Sequence, residues 1–422
     1  MADRDFDVVV FGATGVTGRQ VAAHLAERSA REPIAWAAAA RDADRAGSVL
    51  AEVGVKEPAF VRADVNDAAS LREMAARATV VLDLVGPYAM YGRPVIEACV
   101  EAGAHYVDLT GEVPFVREIL EAFDDPARRA GVKVVQVCGF EALPADVLVR
   151  LAATTARERF GEPVAAVDIE VTAKPPPGPP HFSDVISGGT FQSVALLTGA
   201  DDVAAAVDPA ALIGDAAYAE RVRAVSPITL VPRRGDRGEI VAPMVPAPFI
   251  DPAVIHRSEV LSAALEGREP QPFRYREGMV LAGGAVSAPF RWAAAGTIAA
   301  SQGALRALAG SSVTLRRPLA HALSRVGPSS GYGPAPDRMA AWSWSMRLVA
   351  RTVGARIIRA QIEADGHPGY LSTARMVGES GLMLAREGAT PDISGCLTPA
   401  VALGAGAADA LASARARVTV EP

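Results

Sequence analysis

The stretch "FDVVVFGATGVTGRQVAAHLAERS", Phe6–Ser29, decides how the chain is read. A short apolar run, Phe6–Phe11, ends on a glycine; Gly15 and Gly18 come after it at three-residue spacing, and a helical pattern begins. Gly12 lets the chain turn sharply, Gly15 leaves room for a ligand against bare backbone, and Gly18 lets the helix pack closely on the strand. The helix N-terminus then offers unpaired N–H groups and the positive end of the helix dipole, which together suit a diphosphate. Three glycines alone are a weak signal. The strand before them, the helix after them and the βαβ pattern that continues the chain make it strong.

Beyond Ser29 the sequence alternates between strand and helix. Apolar runs at Ile34–Ala40, Ala59–Arg62, Val80–Val85, His105–Leu109 and Val132–Val137 read as strands. Helical patterns at Val16–Arg28, Ala43–Val53, Asp67–Arg77, Arg93–Ala102 and Pro144–Arg157 separate or succeed them. This rhythm predicts an α/β fold: a doubly wound parallel sheet of about six strands, of the Rossmann kind. It breaks near residue 160. Val164–Ala173 alternates like a strand of a half-exposed sheet, and "KPPPGPPHF", Lys174–Phe182, cannot be regular structure. Ser187–Leu197 reads as a helix, Met339–Ala350 and Gly354–Asp365 as paired strands, and Tyr370–Leu384 and Thr398–Ala412 as helices. Residues 279–309 are strongly apolar, and predict either a helix pair packed over the second half or an apolar surface toward a membrane or greasy substrate.

The bulk numbers exclude several classes. A net charge of −6 gives no electrostatic basis for nucleic-acid binding, which wants a basic stripe. Three scattered cysteines, Cys99, Cys138 and Cys396, show no metal spacing and read as buried thiols of a reducing cytosol. No run reaches the ~18 apolar residues of a membrane span, and Met1–Asp5 leads into a strand without a signal-peptide pattern. A cytoplasmic protein, with membrane association through 279–309 as the sharper variant, is the expectation. Three lysines against many arginines suggest a GC-rich bacterial genome.

The tip of the second strand selects the cofactor. An NAD site wants an acid there for the ribose 2′-hydroxyl. Here "AAAARDADR" puts Arg41 at the tip and Arg45 one turn on, and an arginine pairs with a 2′-phosphate where an acid would repel it. NADPH is therefore expected over NADH, with Asp42 read as a cap of the next helix. Asp64, after the third strand, could hold the adenine or make a local cap. "LVGPYAMYG", Leu84–Gly92, turns at Gly86-Pro87 where the nicotinamide half would cross the sheet, bringing Tyr88 and Tyr91 near it. Tyr88 is the candidate proton donor. Glu112, Glu141 and Asp146 lie after the fifth and sixth strands, where ligands bind in such sheets, with helix capping as the alternative for Glu141 and Asp146. No Tyr-x-x-x-Lys pair, P-loop lysine or nucleophile elbow is present, which leaves hydride transfer with the proton taken from a tyrosine, an acid or water.

"VVVFGATGVTGRQVAAHL", "VVLDLVGPYAMYGRPVIEACVEAGAHYVDLTGE" and "GFEALPADV" together resemble the saccharopine dehydrogenase-like oxidoreductases. "ISGGTFQSV", "GYLSTARMVGESGLMLA" and "GCLTPAVALGAG" resemble the actinobacterial trans-acting enoyl reductase branch of that family. The resemblance implies an NADP-binding Rossmann domain at 1–160 and a substrate and dimerisation domain at 161–390. It implies a C-terminal helix within 391–422 that packs back on the first domain. It carries a pyrophosphate role to Gly12, Ala13, Thr14, Gly15, Val16 and Gly18, and the NADP-type role to Arg41. Val85, Gly86, Pro87 and Tyr88 match the nicotinamide-side loop, and Ser187, Gly188, Gly189 and Thr190 match a segment facing it from the second domain. Glu141-Ala142 departs from the family's usual Asp-Ser, which puts any hydrogen bond made there in doubt.

Three functions remain open on the sequence. The first is NADPH-dependent reduction of a C=C bond in a polyketide, lipid-like or specialised-metabolite intermediate, small or carrier-bound, by a homodimer. The second is C=N or C–N redox on an amino-acid-like substrate, with Arg233, Arg234 and Arg375 available to hold carboxylates; an arginine-lined pocket would favour it, an apolar one the first. The third is a non-catalytic dinucleotide-binding protein at a membrane.

Overall fold

The computed structural model describes residues 4–179, 181–184, 188–243, 249–281, 283, 288–326 and 332–421. Its first half follows the predicted alternation with one helix, α5, added to it: β1 (Phe6–Phe11), α1 (Val16–Ser29), β2 (Trp36–Ala40), α2 (Ala43–Ala51), β3 (Ala59–Arg62), α3 (Ala68–Arg77), β4 (Ala78–Asp83), α4 (Tyr88–Ala102), β5 (His105–Asp108), α5 (Val113–Ala130), β6 (Lys133–Val135) and α6 (Leu143–Phe160). The second half holds β7 (Val164–Lys174), α7 (Gly188–Gly199), α8 (Ala216–Val225), β8 (Arg233–Arg234), β9 (Ile240–Ala242), α9 (Asp251–Leu265), β10 (Arg274–Leu281), α10 (Ala288–Ala309), α11 (Val313–Val326), α12 (Pro336–Ala340), β11 (Ser343–Thr352), β12 (Ile357–Asp365) and α13 (Thr373–Ala385). Then come β13 (Gly395–Leu397), α14 (Pro399–Leu403), α15 (Ala407–Ser413) and β14 (Ala416–Glu421).

The first sheet runs β13-β6-β5-β4-β1-β2-β3 and every pairing in it is parallel. Apart from the partly exposed edge strand β3, its strands are largely buried apolar runs, as a sheet covered on both faces requires. Helices α3, α4 and α5 close one face around Leu71, Ile96 and Ile119. Helices α1, α6 and α13 close the other around Leu25, Leu148 and Leu382. α13 comes very near the sheet: a Cβ on Gly381 would lie 2.7 Å from a Leu82 methyl. The second sheet runs β14-β12-β11-β7-β10-β9-β8 and is mixed, parallel only between β7 and β10. Its inner face shares the α6 side of the core with the first sheet through Ile169, Met346, Leu348 and Ile362.

Four sequence expectations change. The seventh parallel strand, β13, comes from the far end of the chain and adds to the six expected from the sequence. The expected helix over Thr398–Ala412 is broken at Gly404, whose φ of 61° departs from helical backbone, so 391–422 contains two strands and two short helices. β14 pairs with β12 of the second sheet, so this segment does not simply pack back on the first domain. Among the described residues of the apolar stretch 279–309 are the end of β10 and the single helix α10, in place of a helix pair.

Candidate functional site

The winding of the first sheet reverses between β1 and β4, and the glycine turn lies on that boundary. Gly12 has φ +84°, and a Cβ on it would fall 2.8 Å from Val85 Cγ2 and 3.0 Å from the Leu84 backbone. A Cβ on Gly18 would come 2.1 Å from the Gly12 carbonyl oxygen, so the helix start and the turn can touch only because both residues lack side chains. The Gly15 N–H donates to Gly12 O at 3.0 Å and closes the turn. Gly15 is also the N-cap of α1, and no side chain caps that helix. The first N–H groups of α1 therefore remain available to an anion. Ala13 is fully buried, so it serves the turn through its backbone, and Thr14 is half-exposed. Val16 packs with Met339 and Tyr370 from the second half. The cradle thus fits a dinucleotide diphosphate by its own geometry.

Arg41 comes directly after Ala40, the last residue of β2, and is exposed, as is Arg45. Asp42 accepts the Arg45 N–H at 3.0 Å and caps α2, so it is committed locally and its position does not oppose a phosphate beside Arg41. Asp64 accepts the Asn66 N–H at 3.0 Å and its side-chain amide at 3.3 Å, closing its own turn; Asp67 caps α3.

The nicotinamide-side loop differs most from expectation. Pro87 is the N-cap of α4, which begins at Tyr88 and not at Arg93. The Tyr88 and Ala89 N–H groups donate to the two Glu112 oxygens at 3.1 and 2.8 Å, and Ser193 Oγ of α7 donates to Glu112 at 2.6 Å. Glu112 thus caps α4 from another strand end and ties it to α7, in place of presenting a free carboxylate to substrate. Tyr88 is 5% exposed, stacks on Phe115 and donates its hydroxyl to the Asp83 carbonyl at 3.1 Å. Burial pushes that hydroxyl well above its usual range. Tyr88 is a core residue, and this geometry removes it from the proton-donor role. Tyr91 is half-exposed on the first turn of α4. Ser187 lies outside the described residues; Gly189 and Thr190 fall in the first turn of α7, whose described link to this loop is Ser193.

Beneath the crevice sits a buried acid pair that the sequence alone does not join. Tyr106 Oη lies 3.1 Å from Asp83 and 3.0 Å from Asp108, both fully buried. Burial raises both acids, Asp108 to about 6, against the pull of the N–H groups of Val85, Thr110 and Val137. The Tyr106 phenol has one proton for the two carboxyl groups, and burial together with their mutual repulsion pushes Asp83 well above the ordinary carboxylate range. The available signal was Asp83 interrupting the apolar run "TVVLDLV".

Glu141 lies over Gly139, where a Cβ would meet its Oε2 at 2.6 Å and then Leu109 and Thr373, so it stands at the ends of β5 and β6 beneath the start of α13. Burial raises its carboxyl above the usual range. Asp146 accepts the Ala400 N–H at 2.9 Å; it holds α14 and is not free for a ligand. Arg233 lies against Asp168, Glu170 and the Ile169 carbonyl, and Arg276 shares Asp168 with it. Both line a cavity of about 270 Å³ with Glu277. Arg375 donates to the Asp365 carbonyl at 2.9 Å.

A parallel sheet with an uncapped glycine turn at its switch point defines a dinucleotide-dependent oxidoreductase fold. Residues 8–135 match the saccharopine dehydrogenase NADP-binding domain, and the cofactor is NADPH. The chain belongs to the trans-acting enoyl reductase family. It is 32% identical over 416 residues to the trans-acting enoyl reductase of Mycobacterium bovis, covering 96% of this chain and 94% of that one. It is 34% identical over 417 residues to a putative trans-acting enoyl reductase of Mycobacterium tuberculosis, covering 95% and 94%. Among solved structures, the apo saccharopine dehydrogenase (L-Glu forming) of Saccharomyces cerevisiae is similar over 98% of this chain and 99% of that one, at TM-score 0.48 and 14% identity.

Proposed function

We propose that this protein reduces the C=C bond of an enoyl chain presented to it in trans. The observation that carries this is the full-length relationship, spanning both halves of the chain, to enzymes named trans-acting enoyl reductases. NADPH, when bound, supplies the hydride. The chain's own residues do the rest. The uncapped start of α1 and the turn Gly12–Gly18 hold the diphosphate, Arg41 with Arg45 holds the 2′-phosphate, and Asp64 borders the adenine end. Val85, Gly86 and Pro87 shape the nicotinamide end. With Tyr88 committed to the Asp83 carbonyl, Glu141 is the acid placed to protonate the substrate α-carbon. Tyr91 and the first turn of α7, with Gly189 and Thr190, border the substrate.

The first sheet with its helices serves as the cofactor unit and the second sheet as the substrate and dimerisation unit of a homodimer. Among the described residues no helix is long and apolar enough to cross a membrane. The exposed Phe290, Leu305, Leu315 and Leu319 of α10 and α11 suit a peripheral apolar contact, with a membrane or with a greasy acyl chain.

The test is loss of NADPH absorbance with a panel of 2-enoyl thioesters, beside imine and ketone panels. Turnover confined to the imines overturns the reading. The imine alternative draws on the cavity beside Arg233, but its guanidinium is already matched by Asp168 and Glu170, which leaves a weak carboxylate clamp. Tight NADPH binding with no turnover on any panel would support a non-catalytic binder.

A further inference from the structure

Behind Glu141 the chain buries a second pair of carboxyl groups, and this pair lacks the donors that the first one has. Asp251 opens α9 and is fully buried, and among the described residues neither of its carboxyl oxygens meets a backbone, hydroxyl, amide or guanidinium donor. Its neighbour Ile250 is wedged against the backbone at the end of β5: a Cβ on Gly111 would fall 2.8 Å from Ile250 Cδ1. Asp251 is thereby fixed against the crevice wall. Glu277, on β10, is 8% exposed; its Oε1 has no donor and its Oε2 accepts the Tyr275 hydroxyl at 2.6 Å. The carboxyl groups of Asp251 and Glu277 are in hydrogen-bond contact with each other. Two buried carboxylates in contact disfavour the second ionisation, since water reaches them only from the Glu277 side and Arg233, beside Glu277, is shared with Asp168 and Glu170.

The surroundings favour a retained proton. Burial raises both groups, and the nearby Glu141 and Asp146 raise Asp251 further. Tyr275 is itself pushed up by burial and stays a neutral donor. Arg233 pulls Glu277 the other way, but Asp168 and Glu170 hold that arginine, and Arg276 shares Asp168. Glu277 also borders the cavity of about 270 Å³ that Thr229, Pro232 and Val241 help to line. A space of that size, with Arg233, Arg276 and Glu277 on its wall as polar partners, has room for several waters.

We propose that Asp251 and Glu277 store one proton between them at neutral pH and resupply it to Glu141. This rests on the enoyl reductase reading under Proposed function. In that reaction the two electrons of the hydride reach the β-carbon, and the enolate's electron pair forms a C–H bond at the α-carbon as the Glu141 O–H bond breaks. The Glu141 carboxylate then takes the proton held between Asp251 and Glu277. The pair refills from water through the cavity at Glu277, one proton per turnover. The fully buried Asp251 serves as the store, and the cavity-bordering Glu277 as its inlet.

The test uses Asp251→Asn and Glu277→Gln, with Asp83→Asn as a control for the other acid pair. The first readout needs no turnover: the infrared carbonyl stretch of neutral carboxylic acids in the protein at neutral pH. The expected result is a band that loses intensity in either variant, by a component distinct from the one that Asp83→Asn removes. The second is turnover of a 2-enoyl thioester against pH. A general acid cut off from its supply loses about tenfold or more in kcat, most steeply at high pH, with KM values unchanged. A purely structural role would move thermal stability and KM but leave the pH profile intact. A neutral-acid band unchanged in both variants overturns the stored proton, and unchanged kcat in both overturns the resupply. If the unaltered protein turns over no enoyl thioester, the enoyl reading falls and the infrared band alone decides the stored proton.

Discussion

Two helices begin at the switch point of the parallel sheet, and their N-termini are treated in opposite ways. α1 starts at Gly15 with no side-chain cap, while α4 starts at Pro87 with both Glu112 oxygens on its first N–H groups. Both ends carry the same partial positive charge and the same unsatisfied donors. The protein fills one with its own carboxylate and leaves the other for a ligand. The negative charge of the cofactor diphosphate is thereby directed to α1, and α4 is kept as a rigid wall beside it. A helix N-terminus is an anion site only where the chain declines to cap it.

The comparison breaks most severely at Gly18. Gly18→Ala would place a methyl 2.1 Å from the Gly12 carbonyl, so the open N-terminus must shift. A backbone forced out by about 2–3 kcal/mol weakens NADPH roughly 100-fold, measured by fluorescence titration; unchanged affinity would show that α1 does not hold the diphosphate. Next is Arg41→Glu, which leaves α1 intact and acts beyond the diphosphate. Loss of a charge-assisted contact worth about 1.5–3 kcal/mol lowers NADPH affinity about 10- to 100-fold while sparing NADH; equal binding of the two cofactors by the unaltered protein would remove Arg41 from its role.

Glu112→Ala tests the filled terminus. It strips the α4 cap and the Ser193 link together, and the expected cost is about 1–3 kcal/mol of unfolding free energy in urea. Phosphate or NADPH should stabilise the variant and the unaltered protein alike and leave the difference between them in place, since the ligand goes to α1. The smallest effect belongs to the acid pair beneath both helices. Asp83 and Asp108 are raised in the folded protein from the ordinary 3.8, Asp108 to about 6. Across that window the folded state binds more protons than the unfolded chain, so stability falls as pH rises from about 4 toward 6. Asp83→Asn should flatten this decline in thermal melts taken at successive pH values. An unchanged slope would place the titration elsewhere.

The parallel sheet was legible because a doubly covered strand must be a continuous apolar run, and Phe6–Phe11 was bounded correctly from that alone; the partly exposed edge strand Ala59–Arg62 was bounded correctly too, from its place in the alternation. Pairings that depend on distant partners were not. β13 is three residues long and pairs with β6 across a long stretch of sequence, so its local pattern carries almost no signal. The start of α4 was missed for a related reason: its cap is Glu112, supplied from another strand end, while local capping patterns look only to the preceding residues. α5 was missed altogether; Pro114 in its first turn is compatible with a helix, but Pro126 lies inside it and argues locally against one. At the site, the glycines and Arg41 stood out because their chemistry depends on residue type and spacing. Asp251 and Glu277 did not, since a buried acid becomes informative only once its neighbours are known to offer no donor.

The segment Gly395–Glu421 places β13 on one edge of the first sheet and β14 on one edge of the second. While the ribosome is still making these residues, β6 and β12 both present open strand edges, and open edges invite pairing with other chains. Completion of both sheets by one segment therefore couples them: without Gly395–Glu421, β6 and β12 lose their outer partners together, so damage to this one stretch is expected to weaken both sheets at once.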